Sequence, residues 1–239
     1  MRIHRHQSPR HSTAAVLIAL TAFVLAACDT ADDTASTSAV DVTVDDDGIT
    51  TLAPRRDGSG LPAPVDVLSV TDEAALLFMR EEERLALDVS TVLGDMWGLP
   101  IFANIAEAEQ THTESVRVLL ERYGLDDPVP SRPAGEYADA TLQAACDELI
   151  ELGGRSLEDA LRVGAIVEEL DIADLRARQA EAPDVAQVFT ALERGSRNHL
   201  RAFVGQLEQR GAAYAPTHLT QDEVDEILAG EIERGPVSG

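Results

Sequence analysis

Four short stretches of the chain put metal-binding side chains where apolar ones are expected. In the segment from Pro100 to Tyr123, Phe102, Ile105, Ala106, Val116, Leu119 and Tyr123 recur at helical spacing, and Glu109 and His112 fall inside that stripe. Glu107, Gln110, Glu114, Arg117 and Glu121 take the opposite face, so the inward pair is not surface charge that has spilled over. A second histidine, His199, shares a face with Val185, Val188, Leu192 and Phe203. Between these stretches, Glu168 and Asp171 stand three residues apart beside Leu161, Gly164 and Leu175, and Glu169 is the alternative to Glu168 because it shares a face with Ala165, Ile166 and Ile172. Upstream, Arg80-Glu81-Glu82-Glu83-Arg84 interrupts an apolar run, so at least one of its glutamates points inward. An ionised carboxylate is costly to bury alone, and coordination to a cation satisfies it. Carboxylates mixed with imidazoles suit iron or manganese better than zinc with thiolates or magnesium with water.

These residues need helices to carry them. From Thr71 onward the apolar period is three to four, with no sustained alternation, so an all-α domain is expected over 70–235. The first helix starts near Thr71 and runs to Gly98; Pro100 opens the second, which stops at Gly124. A turn-rich loop follows, then a shorter helix through LQAACDELIEL, closed by Gly153-Gly154. Ser156 with Asp159 caps the next helix, Pro183 begins another that ends at Gly211, and Thr220 with Glu223 caps a short terminal one. Four long helices with two short ones describe a bundle.

The carrying segments FMREEERLALDV, IFANIAEAEQTHTESVRVLLERYGLDDP, DALRVGAIVEELDIADL and GSRNHLRAFV resemble the ferritin-like superfamily, which includes rubrerythrins and bacterioferritins. They are most similar to a bacterial and archaeal ferritin-like family labelled as a domain of unknown function. The resemblance covers Leu76 to about Leu219 and implies a ferritin-like four-helix bundle with two iron ions, manganese being the alternative. In that frame the first-helix ligand has Ala three residues later, which fits Glu83 with Ala86; periodicity, through Phe78, Met79, Leu85 and Val89, favours Glu82 instead. Ser90 stands where the superfamily has a tyrosine, and Ser196 stands three before His199 where it has a glutamate. Asp171 is then the replacement carboxylate, and the implied ligand set is Glu83, Glu109, His112, Glu168, Asp171 and His199. The implied chemistry is oxidation of ferrous iron or reduction of oxygen or peroxide. No rubredoxin-like cysteine pair is present, so electrons for a peroxidase cycle would come from another protein. The alternative is a protein without turnover, either buffering iron outside the cytoplasm or serving as a structural envelope lipoprotein.

The N-terminus gives an address. A basic segment, the apolar run AAVLIALTAFVLAAC and small residues have signal-peptide anatomy, and Leu25-Ala26-Ala27-Cys28 resembles a lipobox. Residues 1–28 are therefore expected to export the chain and leave it lipid-anchored through Cys28 at the cell envelope, on the outer face of the cytoplasmic membrane or in the periplasm at the outer membrane. Residues 29–69, rich in Asp, Thr, Ser and Pro, are expected to be a disordered tether. All 19 basic residues are arginine, and a net charge of -24 excludes nucleic acid and anionic membrane surfaces as electrostatic partners and favours cations. Of the two cysteines, Cys146 lies among apolar neighbours and is expected to be a buried, inert thiol.

Overall fold

The computed structural model describes residues 40–44, 50–54, 60–130, 132–235 and 237. Helix α1 (Val70–Trp97) begins where Ser69 leaves extended backbone and its side chain accepts from the Asp72 N–H. It ends at Gly98, whose φ of 64° is the left-handed conformation that a β-carbon disfavours. Pro100 is the first residue of α2 (Pro100–Tyr123), so the chain turns back at once, and α2 closes on Gly124. Helices α3 (Ala140–Gly153), α4 (Leu157–Ala177), α5 (Pro183–Gln209) and α6 (Gln221–Ala229) complete an all-α domain. Ser156 caps α4 by accepting from Asp159 N–H, and the reciprocal Thr220–Glu223 capping box opens α6, both as the spacing predicts.

Side-chain partners fix the helix directions. Along α1 and α2, Arg80 meets Thr113 while Gly94 abuts Phe102. Along α2 and α5, Tyr123 meets Asp184 while Glu109 meets His199. Along α4 and α5, Arg176 meets Glu193 while Asp171 meets Ser196. Residue numbers rise on one helix as they fall on its partner, so each pair is antiparallel. Helices α1 and α5 thus run one way and α2 and α4 the other. Because α2 and α4 are parallel, the connection between them must travel the length of the helices, and it carries α3, which packs on α1 and α4.

The apolar interior divides in two. One cluster holds Leu93, Phe102, Leu161, Phe203 and Leu207; the other holds Leu76, Met79, Leu119, Leu175, Val185 and Leu192. Burying each such side chain stabilises the fold by about 1.5–3 kcal/mol. On all four long helices the polar candidates lie between the two clusters, so hydrophobic packing at both ends closes a polar layer off from water.

The N-terminal segment differs from the expected tether. Val40–Val44 and Thr50–Pro54 pair as antiparallel strands in the register Val42↔Leu52, and they lie against α2 and α5. Val40, Val42 and Val44 alternating with Asp41 and Thr43 is a period-two pattern too short to outweigh the composition of the surrounding sequence. Leu61, Val65 and Leu68 pack on the second cluster, and Val65 N–H donates to Tyr123 Oη. At the other end order extends past 235, since Val237 is buried and its carbonyl accepts from Gln187. The expected signal segment, with Cys28, lies outside the described residues; among those described, no helix is long and apolar enough to cross a membrane.

Candidate metal centre

The run Arg80–Arg84 shows how one turn of α1 assigns its charges. Arg80 pairs with Asp127 at 2.9 Å and reaches the Thr113 carbonyl; Glu81 accepts from the Ala138 and Asp139 backbone N–H groups; Arg84 pairs with Asp88 at 2.7 Å. Glu82 and Glu83 are left, and both are buried. They diverge. Glu83 Oε2 lies 3.3 Å from His112 Nδ1, whereas Glu82 faces Asp171 and Asp174 of α4. The two inward glutamates are therefore not alternatives, and it is Glu83 that joins the imidazoles.

Glu109 is at the centre. Its Oε2 lies 3.0 Å from His112 Nδ1 and its Oε1 lies 2.8 Å from His199 Nδ1. Glu168 Oε2 flanks the second imidazole at 3.4 Å from the same His199 nitrogen. The two rings stack, with centroids 5.2 Å apart and planes 15° from parallel. Glu109, His112 and His199 can each offer one ligand atom within 4.8 Å of the others, all fully buried, so this group could hold a metal ion. The oxygens of Glu83 and Glu109 and the nitrogens of His112 make no aligned hydrogen bond despite these short distances. Buried polar groups this close that do not hydrogen-bond one another form an arrangement that a shared cation would satisfy.

Asp171 stands where the sequence predicts a replacement carboxylate. The Ser196 hydroxyl donates to its Oδ2, while Oδ1 stays buried without a hydrogen-bond partner. Serine at 196 thus leaves room for a carboxylate from the neighbouring helix and orients it. Glu169 does something different. Its Oε2 accepts from the backbone N–H groups of Thr217, His218 and Leu219 at 2.9, 2.7 and 3.1 Å, anchoring the chain that leads into α6. That engagement decides between Glu168 and Glu169. His218 is exposed, and Cys146 is buried with its thiol pushed up by burial, as expected of an inert group.

The electrostatics follow from burial and crowding. Burial pushes the Glu83 carboxyl up to about 7 against the opposing pull of His112. Burial also raises Glu168 to about 7, with His199 opposing. Asp171 is driven well above the carboxylate range by burial and by Glu83, and Glu82 by burial, Asp171 and Asp174. Glu109 is the exception: burial would raise it, but His112 and His199 together hold it well below its usual range. Burial would lower both imidazoles, yet Glu109 lifts His112 well above its ordinary value, and Glu168 with Glu109 lifts His199 to about 10. Without a cation the cluster must retain protons; with one it must release them.

Sequence reasoning missed the second inward glutamate, because it treated Glu82 and Glu83 as rivals. The available signal was that adjacent helical positions are about 100° apart, near enough for both to border one wide interior face.

A comparison with solved structures finds the crystal structure of a hypothetical protein, MJ0754, from Methanococcus jannaschii, with a TM-score of 0.69 and 41% identity, covering 72% of this chain and 99% of that one. By sequence, "Uncharacterized protein MJ0754" of Methanocaldococcus jannaschii is 42% identical over 174 residues, 72% of this chain and 94% of the relative. The model of an uncharacterized protein domain, DUF2202, matches residues 72–231, which span α1 to α6 and every residue of the centre, and the chain belongs to that family.

Proposed function

We propose that the domain is a ferritin-like carboxylate protein that holds two iron ions and oxidises ferrous iron with oxygen or peroxide, acting as an exported, lipid-anchored protein at the cell envelope. The observation that carries this reading is Glu109, whose two oxygens each face a different imidazole while Glu83 and Glu168 flank the two sides. One half of the centre is then Glu83 with His112, the other Glu168 with His199, and Glu109 and Asp171 are shared. Four carboxylates neutralise two divalent cations, which removes the charge that burial penalises. The helix directions support the same reading, since two antiparallel pairs joined by one long crossover is the ferritin-like topology. Manganese fits the same donors.

When bound, a pair of ferrous ions supplies two electrons, enough to reduce oxygen to peroxide or peroxide to water with uptake of two protons. The protein's own part is to orient and to exclude water. Glu109 holds both imidazoles in place by opposite charge before metal arrives, Ser196 aims Asp171, and the two apolar clusters keep bulk solvent from the centre.

Elemental analysis of chain produced in iron-containing medium should find two ions per chain, and mixing the ferrous form with oxygen should give a rapid rise in ferric absorbance. Two ions with slow, featureless oxidation would instead mark a buffer without turnover. Absence of stoichiometric metal, with melting unchanged by added Fe²⁺ or Mn²⁺, would leave only a structural envelope protein.

A further inference from the structure

Among the described residues, Glu82 is the buried carboxyl outside the paired centre with neither oxygen hydrogen-bonded, and its surroundings give it a purpose. The Arg178 guanidinium lies 3.6 Å from the centroid of the Phe78 ring, which sets α4 against α1 in antiparallel register. One turn on from Phe78 is Glu82; one turn back from Arg178 is Asp174, and the turn before that holds Asp171. Glu82 consequently faces both aspartates across the helix pair. It is buried, and neither of its oxygens has a hydrogen-bond partner. Asp174 is partly exposed and pairs with Arg178, itself partly exposed. Outside them, Phe78, Ala177 and Arg178 line a groove of about 840 Å³. Arg178 joins this groove to Asp174, and carboxyls then descend from the surface to the centre: Asp174 partly exposed, Glu82 within, Asp171 at the proposed ion pair.

We infer that Glu82 and Asp174 form a staging site for a divalent cation passing from the surface beside this groove to the buried centre. The inference rests on the paired-metal reading above. Two divalent ions balance the four carboxylates of the centre, so Glu82 and Asp174 are not needed there and can bind a further cation when Glu82 gives up its proton. All-oxygen donors suit Fe²⁺ or Mn²⁺ in transit, since they bind these ions without the imidazoles that would hold them. Arg178 occupies Asp174 at rest, so an entering ion displaces a like charge from the mouth. A wholly buried centre between two apolar layers needs such a route.

The test uses the full metal-free chain and Co²⁺ alone, with uptake followed by stopped-flow absorbance and the final content by elemental analysis. Glu82→Gln and Asp174→Asn should each slow loading about tenfold or more, the order by which an attractive cleft raises association rates, while two ions are still bound at the end. Arg178→Ala should load faster than the wild type. Asp174 is at the surface, so its variant decides the matter even if Glu82→Gln folds poorly. Wild-type loading rates in both acidic variants would overturn the staging site and leave the paired centre standing. A wild-type chain that takes up no Co²⁺ would overturn the paired centre and the staging site together.

Discussion

Replacing Glu109 by Gln keeps the shape of the side chain and removes the one charge that both imidazoles share. In the metal-free protein Glu109 is 1% exposed, so solvent screening does not soften the loss. Breaking a buried ion pair by removing one partner costs about 3–5 kcal/mol, and for a domain of this size each kcal/mol is worth roughly 2–4 °C in Tm. The cost should be largest near pH 6, where His199, raised to about 10, is charged. It should shrink above about pH 10, where His199 gives up its proton and its ion pair with Glu109 is lost in the wild type as well. Metal separates Glu109 from its neighbours more sharply. An ion present at a thousand times its Kd stabilises by about 4 kcal/mol. Two such sites should therefore raise the wild-type Tm by roughly 16–32 °C. Glu83→Gln and Glu168→Gln each touch one imidazole, so each should lose about half of that rise. Glu109→Gln touches both and should lose nearly all of it. Thermal melts of the four proteins with and without saturating Mn²⁺, alongside elemental analysis, give the comparison. If Glu109→Gln keeps the wild-type rise, or if Glu83→Gln and Glu168→Gln fall as far as Glu109→Gln does, the shared-carboxylate geometry is wrong.

Three further outcomes follow from named contacts. The metal-free protein should lose stability as pH rises from about 4.5 through about 7, because Glu83 and Glu168 bind protons in the fold that they release on unfolding. His199 should extend that loss toward about 10, whereas metal-loaded protein should show neither step in melts across this range. Gly164→Ala would set a β-carbon 2.4–2.6 Å from the Phe203 ring. Such overpacking costs about 1–3 kcal/mol or more, and because Phe203 lies one turn beyond His199 on α5, urea unfolding and metal content should fall together. Glu169→Ala strips the acceptor from three backbone N–H groups, so amide exchange should rise at Thr217, His218 and Leu219. Two ions should remain bound, since Glu169 is not part of the centre.

Local rules explain most of what was legible in the sequence. Helix ends are set by groups within a few residues of each other, such as Ser69, Ser156 and the Thr220–Glu223 box, or by a glycine at positive φ, as at Gly98 and Gly124. The stripe positions of Glu109, His112 and His199 follow from the helical repeat alone, and the structure brings them within 4.8 Å of one another. The strands Val40–Val44 and Thr50–Pro54 were hidden because five residues of alternation carry little weight inside an acidic, Thr-rich and Pro-rich segment.

By itself the sequence determined that this protein is helical, where its long helices begin and end, and that Glu109, His112, Asp171 and His199 lie inward, because each depends on spacing within a single helix. Tertiary structure alone decided the rest. Glu82 and Glu83 differ by 100° of helix rotation, and only the packing of α1 between α2 and α4 sends one to His112 and the other to Asp171 and Asp174. Glu168 and Glu169 are separated likewise by a loop 48 to 50 residues away whose amides claim the second. A residue's periodicity states how far it points inward; which partner it meets is fixed by the rotation of neighbouring helices, and that depends on the packing of the whole domain.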